Sequence, residues 1–433
     1  RKFSPDGVLL WSWNTSRQEG RSVTSPFLYG GRLYVTSMGS PAGTASAVHC
    51  LDMETGRPLW RAAVPAGGRV ATDSSTVHVA EGILLGAARS LAGQKAYDGS
   101  DMIYAVNATN GGRLWDFVTD EGTVWNFMPS TPGDGTFLFA TTCGVAERRR
   151  LADGGRVWRG ALPGPGTSCG TGGGALGPNG VFYAAANHHP GPQLASPEAP
   201  LPGVAPCRGP LDCIEGMGIL VAYRVSDGAI LWSRRFFFGF AGQQYPTVAT
   251  IDGRLTVVAG IGMNPLPPSP FMGPKFLPSW VRAIIQKLQL RSSILRMLLG
   301  IPVEHNAIAT FDAETGKLIW FWEEEPWSYH AAAGEEHKLH ERMARFRTDD
   351  RFEPACGPEN WSIPAVAADG TILVGSGSTG NLYAIRDANG DGAIESHEVS
   401  TLKTGQAFRN GPALAPGMLA VAPCWGKMYV FGS

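Results

Sequence analysis

Charge of one sign is missing from these 433 residues: 36 bases stand against 37 acids, a formal net charge of −1. No global field draws such a chain to nucleic acid or to an anionic membrane. Charged residues are scarce at 17% against 43% apolar, the composition of a globular chain and not of a disordered one. Cysteine is sparse: seven residues, none adjacent and none in a Cys-x-x-Cys pair. Cys207 and Cys213 flank a short Pro-rich loop and suit a local disulfide, with Cys143 and Cys169 as a second pair, although connectivity does not follow from sequence. The chain begins at Arg1 with neither methionine nor a signal-like apolar stretch, as expected of a processed or trimmed chain. Together with three glycosylation triplets starting at Asn14, Asn107 and Asn360, this leads us to expect an oxidising compartment: a periplasm, an organelle lumen such as the thylakoid lumen, or the cell exterior. No transmembrane span is expected.

Glycine (57) and proline (32) are plentiful, which suits many short strands joined by tight turns. They belong to a repeating phrase, a polar turn with glycine followed by a bulky aromatic. Asp52-Met-Glu-Thr-Gly-Arg-Pro-Leu-Trp60 and Asp312-Ala-Glu-Thr-Gly-Lys-Leu-Ile-Trp320 are its fullest copies. Looser copies run from Asp6 to Trp11, Asn107 to Trp115, Asp153 to Trp158 and Ser226 to Trp232. Successive tryptophans stand 49, 55, 43, 74 and 88 residues apart. The shortest interval is about one four-stranded blade, near the roughly 40–50 residues of propeller repeats. Between tryptophans lie short runs of β-branched and aromatic residues bounded by glycine, as in Gly31-Arg-Leu-Tyr-Val35 and Gly253-Arg-Leu-Thr-Val257.

A single sheet cannot bury both of its faces, so neighbouring repeats must stack, and a closed ring leaves no exposed edge. The expectation is one all-β β-propeller over residues 1–433 with seven four-stranded blades. An eighth blade would fit if an insertion hides a degenerate copy. Lys427-Met-Tyr-Val-Phe431 has no Gly-x-x-x-Trp strand after it, so the N-terminal strand Val8 to Trp13 is expected to close the last blade. Three insertions interrupt the repeat: a Pro-rich loop at 187–217, an amphipathic helix within 264–302, and a helical stretch at 323–358 with its helix from Ala331 to Phe346. Residues 279–299 keep apolar residues at helical spacing, while Arg282, Lys287, Arg291 and Arg296 rule out a spanning helix. That segment suits a partner groove or a peripheral membrane contact as well as its own propeller's flank.

Asp-x-x-Thr-Gly-x-x-x-Trp resembles the tryptophan-docking repeat of the PQQ-like (pyrroloquinoline-quinone) propeller superfamily. That superfamily holds quinoprotein alcohol dehydrogenases as well as the non-enzymatic propeller lipoprotein of the bacterial outer-membrane assembly machine. The resemblance covers nearly the whole chain and implies that Trp60, Trp115, Trp158, Trp232 and Trp320 wedge between adjacent blades. It also implies eight blades, one more than the repeat count. The dehydrogenases typically carry two adjacent cysteines over the cofactor, and this chain has no Cys-Cys pair. Their acidic base and central calcium ligands match no motif here.

The seventh copy is altered: Asp387-Ala-Asn-Gly-Asp-Gly-Ala-Ile-Glu-Ser-His-Glu398 has the spacing of a calcium loop of the EF-hand type. Oxygen donors fall on Asp387, Asn389, Asp391, Glu395 and Glu398, with the Ala393 carbonyl between them. The alternative is an acidic surface turn that stays empty. The loop follows a strand-like Asn381-Leu-Tyr-Ala-Ile385 and stands where the docking turn of the sixth blade belongs, with Phe408 expected in the place of its tryptophan. One Ca2+ held there would act as a staple and not as a switch, since no helix pair is present to open.

Other candidates are weaker. His337 with His340 or Glu341 reads better as a solvated helix face than as a metal site, and His188-His189 as loop. Gly170-Thr-Gly-Gly-Gly-Ala175 leads into a strand and so fails as a phosphate cradle. With no catalytic set in view, the expected function is a non-catalytic binding scaffold stiffened by calcium, an accessory subunit of a larger, membrane-associated assembly with protein partners at the insertions. The competing readings are a PQQ- and calcium-dependent alcohol dehydrogenase and a secreted carbohydrate- or peptide-binding propeller. PQQ is a cofactor only under the first of these.

Overall fold

A computed structural model describes residues 1–15, 26–39, 45–70, 76–90, 100–120, 124, 127–141, 144–161, 173–188, 217–235, 245–262, 306–327, 332–335 and 361–432. Among them the secondary structure is strand and turn, with short 3₁₀ turns at Pro65–Gly67 and Ser396–Glu398 and no α-helix. The strands form antiparallel sheets whose order follows the chain, the blade topology of a β-propeller. Sheet 1 holds Phe27–Tyr29, Arg32–Ser37, Ala47–Asp52 and Pro58–Ala63, and sheet 2 holds Val77–Ala80, Ile83–Ala88, Met102–Asn107 and Arg113–Val118. Sheet 3 has three strands, Thr136–Ala140, Ala146–Arg150 and Arg156–Gly160. Sheet 4 holds Gly174–Leu176, Val181–His188, Met217–Arg224 and Ile230–Arg235. Sheet 5 holds Thr247–Ile251, Arg254–Gly262, Asn306–Asp312 and Leu318–Glu323. Sheet 6 holds Ala365–Val366, Ile372–Gly375, Asn381–Ile385 and Val399–Lys403, and sheet 7 the three strands Ala413–Ala415, Met418–Val421 and Tyr429–Gly432.

Two compact units are present. The first comprises Arg1–Leu162, Thr171–Ala184 and Tyr223–Ile230; the second comprises Pro163–Gly170, Ala185–Ala222 and Leu231–Ser433. Within each, both faces of a sheet are covered. In the first unit Tyr34, Val48 and Cys50 of sheet 1 pack with Val79, Leu84 and Tyr104 of sheet 2. The opposite face of sheet 2, Leu85, Ile103 and Ala105, packs with Phe137 and Phe139 of sheet 3. In the second unit Val258, Ile308 and Trp320 of sheet 5 meet Ile372, Val374 and Tyr383 of sheet 6. Alternation along a strand puts successive side chains on opposite faces, so a strand covered on both reads as a nearly unbroken apolar run. Each large side chain so buried contributes roughly 1.5–3 kcal/mol.

Two expectations need correction. Leu9–Trp11 does not complete a last sheet: it pairs with Lys2–Phe3 in a two-stranded hairpin. The turn between them is closed by Ser4 N–H to Val8 O at 2.9 Å and Gly7 N–H to Ser4 O at 3.0 Å, with Gly7 at φ 86°. A pairing across four residues closes a much shorter loop than one across the whole chain, and loop closure cost rises with length. The second correction concerns the helix expected from Ala331. Its described part, Ala332–Glu335, is a turn, because Gly334 sits at φ 84° and Ala333 N–H bonds to Ser378 O instead of to a helical partner. The Pro-rich loop core, the helix at 279–299, residues 328–331 and 336–358, and Cys143, Cys169, Cys207 and Cys213 lie outside the described residues. Cys50 is free and buried.

Candidate functional site

The two fullest repeat turns are built the same way. Asp52 Oδ1 accepts from Thr55 N–H at 2.8 Å and from its hydroxyl at 2.7 Å, and Thr55 Oγ1 in turn accepts from Arg57 N–H at 3.3 Å. Asp312 and Thr315 repeat the first two contacts at 2.8 and 2.7 Å, and Lys317 N–H repeats the third at 3.3 Å. The threonine hydroxyl and backbone hydrogen bonds hold both aspartates below the ordinary carboxylate pKa. Gly56 and Gly316 then turn the chain at φ 70° and 66°, a left-handed conformation that glycine adopts without steric cost.

Onto each turn docks the tryptophan of the preceding repeat. Trp11 Nε1 donates to Met53 O at 3.2 Å, Trp60 to Ala108 O at 3.2 Å and Trp115 to Leu151 O at 2.8 Å. Trp158 reaches Val225 O at 2.7 Å, and Trp232 reaches Ala313 O at 3.1 Å. The indole lies flat on the turn glycine, so a β-carbon there would meet the ring at 2.6–2.8 Å at Gly56, Gly111, Gly154, Gly228 and Gly316. Trp11 therefore keeps its role although its strand pairs locally.

A further device was not read from the sequence. Trp60, Trp115, Trp158 and Trp320 each follow a register shift, in which one residue has no direct cross-strand partner. A β-bulge of this kind re-aims the following side chain. It also turns the preceding residue outward, which accounts for the exposure of Leu59, Leu114 and Val157.

The acidic loop 387–398 joins Asn381–Ile385 to Val399–Lys403, the position of a docking turn. Gly392 (φ 80°) lies against the Ile319 carbonyl, and Ile394 packs in the cluster that holds Trp320. Phe408 is buried between Leu382 of sheet 6 and Val421, Leu419 and Tyr429 around sheet 7, the place expected for a substitute tryptophan. Asp387 accepts from Gly390 N–H at 2.7 Å and Gly392 N–H at 3.0 Å. Asn389 Oδ1 accepts from Asp391 N–H at 2.9 Å and Asp391 Oδ1 from Ala393 N–H at 2.8 Å. Glu398 gathers the far end, accepting from Ala388 N–H at 2.7 Å and Glu395 N–H at 3.0 Å, and these bonds hold its carboxyl below the ordinary range. Glu395 turns instead to His397 Nδ1 at 3.2 Å. Among the described residues no group of three or more His, Cys, Asp or Glu side chains converges as a metal-binding set. The donors are all oxygen, the chemistry a hard cation takes, and a carboxylate oxygen that accepts one N–H keeps a second lone pair.

Two buried polar clusters also escaped sequence reading. Ser37 Oγ and His49 Nε2 are 2.9 Å apart, both buried, and the His49 ring lies 5.1 Å from that of Trp13. With the hydroxyl and imidazole both sealed, the pair ties adjacent strands of sheet 1. Glu324, directly after the last strand of sheet 5, is 3% exposed. Its Oε1 accepts from Asn306 Nδ2 at 3.1 Å and Ser376 Oγ at 3.0 Å, and its Oε2 from Thr379 Oγ1 at 3.0 Å and Tyr383 OH at 3.3 Å. Burial pushes its pKa up to about 7 against the pull of these four donors. Sequence spacing offered no signal for this set, whose outermost members, Asn306 and Tyr383, stand 77 positions apart. His189, His337, His340 and Glu341 lie outside the described residues.

A family model described as outer membrane protein assembly factor BamB matches residues 1–173. Among solved structures, BamB from Moraxella catarrhalis aligns with a TM-score of 0.53 at 12% identity, over 96% of this chain and 86% of that one. A quinohemoprotein alcohol dehydrogenase from Pseudomonas putida HK5 aligns with a TM-score of 0.54 at 14% identity, over 94% of this chain and only 64% of its own length. A europium-containing methanol dehydrogenase aligns at 0.50 and 15% identity, over 95% and 76%. No curated protein sequence matches the chain. No helix among the described residues is long and apolar enough to cross a membrane. Identities this low speak for the fold alone. Taken with the repeated docking turn and the chain-ordered antiparallel sheets, these matches identify the fold as that of the PQQ-like β-propeller superfamily.

Proposed function

We propose that the chain is a binding scaffold, an accessory subunit of a larger membrane-associated assembly in an oxidising compartment, and not an enzyme. The observation that carries this reading is the extent of the likeness. The chain matches BamB over most of both lengths, whereas it spans less than two thirds of the quinohemoprotein dehydrogenase. The BamB family model supports it independently over residues 1–173. A stack of sheets fixed by indole-on-glycine contacts is a stiff support for individual loops, which suits docking of protein partners. The insertions at 187–217, 264–302 and 323–358 are the surfaces we assign to those partners, with 279–299 also suited to a membrane surface.

Within that scaffold the loop 387–398 is a calcium staple. Asp387, Asn389, Asp391, Glu395, Glu398 and the Ala393 carbonyl would supply the oxygens. Holding the ion requires Glu395 to leave His397 and the remaining side chains to turn inward on a backbone already wrapped by its own N–H bonds. The staple would stiffen the contact with Trp320 and Ile319, a place where the other repeats use a polar turn ending in glycine.

The enzyme reading is favoured by one observation, the dehydrogenase alignments themselves. Affinity purification of the full chain from its native source, with mass spectrometry, tests the scaffold. Recovery of stoichiometric protein partners is the expected result. Dye-linked alcohol oxidation after addition of PQQ and calcium, with no partner recovered, would replace the scaffold by the dehydrogenase. Retention on a glycan or peptide array alone would instead favour a secreted binding propeller.

A further inference from the structure

Glu324 lies at the seam between sheets 5 and 6 of the second unit. Its backbone belongs to sheet 5, where its N–H donates to Asn306 O at 3.0 Å. Three of the four donors to its carboxyl, Ser376, Thr379 and Tyr383, come from sheet 6 or from the turn between two of its strands. The carboxyl is thus the most highly bonded polar group of a seam in which Trp320, Trp322, Trp361 and Tyr383 pack and which Trp361 Nε1 to Ile261 O at 3.2 Å and Thr247 Oγ1 to Pro364 O at 2.6 Å also cross. Among the described residues no basic side chain is ion-paired with it.

The hydrogen-bond inventory allows a neutral acid here. Ser376 Oγ already accepts from Ser378 N–H at 3.2 Å and Thr379 N–H at 2.9 Å, so its own proton goes to Glu324. Tyr383 OH accepts from Asn381 Nδ2 at 2.8 Å. Asn306 Nδ2 can only donate. Thr379 Oγ1 keeps its acceptor capacity, so rotating that hydroxyl lets it receive a proton carried on Oε2. In the ionised state all four groups donate, yet among the described residues the charge has no counter-ion, and it has little solvent, the costly case for a buried group.

The geometry points to Glu324 as a proton-operated latch on the seam between sheets 5 and 6: neutral, it closes the seam, and ionised, it loosens it. The turn it grips has further attachments. Ser376 N–H bonds to Asn381 O, Phe408 N–H to Ser376 O at 3.0 Å, and Ala333 N–H to Ser378 O at 2.9 Å. Loosening this turn therefore reaches Phe408, which is buried against sheet 7. Of the titratable side chains on the packed elements, which include Arg254, Asp312, Glu323 and Lys403, Tyr383 touches the carboxyl, and burial and the Glu324 charge push its pKa up out of the working range; Glu335 is buried in the segment held through Ala333. An upward-shifted acid supports the latch: the ordinary value is 4.5 and the folded one about 7, so ionisation falls in the physiological window.

The test is hydrogen exchange at the Ser376 and Phe408 amides of the full chain at pH 5 and pH 8, corrected for base catalysis. Opening should rise on the order of 50- to 100-fold between the two for the wild type and stay level in Glu324→Gln. Equal pH dependence in both, or none in the wild type, overturns the latch. If the variant does not fold, carboxyl 13C titration of the wild type decides alone. One glutamate with a midpoint near neutrality upholds the proposal, and all glutamates titrating in the ordinary range dispose of it. Neither result bears on whether the chain is a scaffold.

Discussion

Gly392 of the acidic loop lies against the carbonyl of Ile319, the residue that precedes the sheet 5 tryptophan: a β-carbon on Gly392 would sit 3.1 Å from that oxygen. Gly392 is also at φ 80°. Replacing it with alanine strains the turn and pushes on backbone that has little room to give. We expect Gly392→Ala to destabilise by roughly 1–3 kcal/mol, read as a lower thermal midpoint in calcium-free buffer.

Gly316 and Gly253 separate conformational strain from indole contact. Both are at positive φ, 66° and 76°. A β-carbon at Gly316 would strike Trp232 at 2.7 Å, whereas nothing lies within 4 Å of one at Gly253. Gly253→Ala should cost about 1 kcal/mol, and Gly316→Ala about 1–3 kcal/mol more for the displaced ring. Urea denaturation followed by tryptophan fluorescence measures both, and equal losses would show the docking contact to be unimportant.

Trp232→Phe keeps most of the ring but removes the donor to Ala313 O. The buried carbonyl then loses that donor, at a cost of about 1–3 kcal/mol. Trp232→Ala should lose about 3–5 kcal/mol by leaving a cavity. A phenylalanine variant as stable as the wild type would reduce the repeated hydrogen-bond geometry to packing.

Calcium occupancy is tested by chelation. At calcium 100-fold above its dissociation constant, a bound ion adds about 2.7 kcal/mol, so EGTA should lower the thermal midpoint of the wild type and leave Asp387→Ala unmoved. Calorimetric titration that detects no binding at millimolar calcium would remove the staple.

Acid should act on the loop in the direction opposite to its action on Glu324. Backbone N–H bonds hold the Glu398 pKa below its ordinary value of 4.5. Its contribution is therefore present above that value and lost as pH falls through the lower, folded one. Glu324 is raised, so its contribution is complete below 4.5 and lost as pH rises through about 7. Stability should consequently peak in mildly acidic solution. Melting curves from pH 3 to 9 check this, and Glu324→Gln should flatten only the alkaline side.

Much of this was legible in the chain because the signal was local. Asp52, Thr55 and Gly56 contact one another within five residues, so their spacing states their geometry. Trp60 and Trp320 follow such turns at fixed distance, and their docking could be expected from the repeat. The bulge before each tryptophan was not legible, because a register shift is a relation between two strands and leaves no residue type behind. The N-terminal strand was misplaced for a related reason: composition names a strand but not its partner, and Ser4 to Val8 offers a closer one than the end of the chain.

What the sequence determined alone is the unit: a short strand, a Thr-Gly or acidic turn, and an aromatic aimed at the next turn, all set by side chains bonding to backbone a few residues away. Tertiary structure decided where those units press on one another. Asn306, Ser376, Thr379 and Tyr383 carry no motif, yet strand pairing and sheet stacking bring all four donors onto one buried carboxyl. Hydrogen bonds across a seam depend on register and packing, which no stretch of sequence contains by itself.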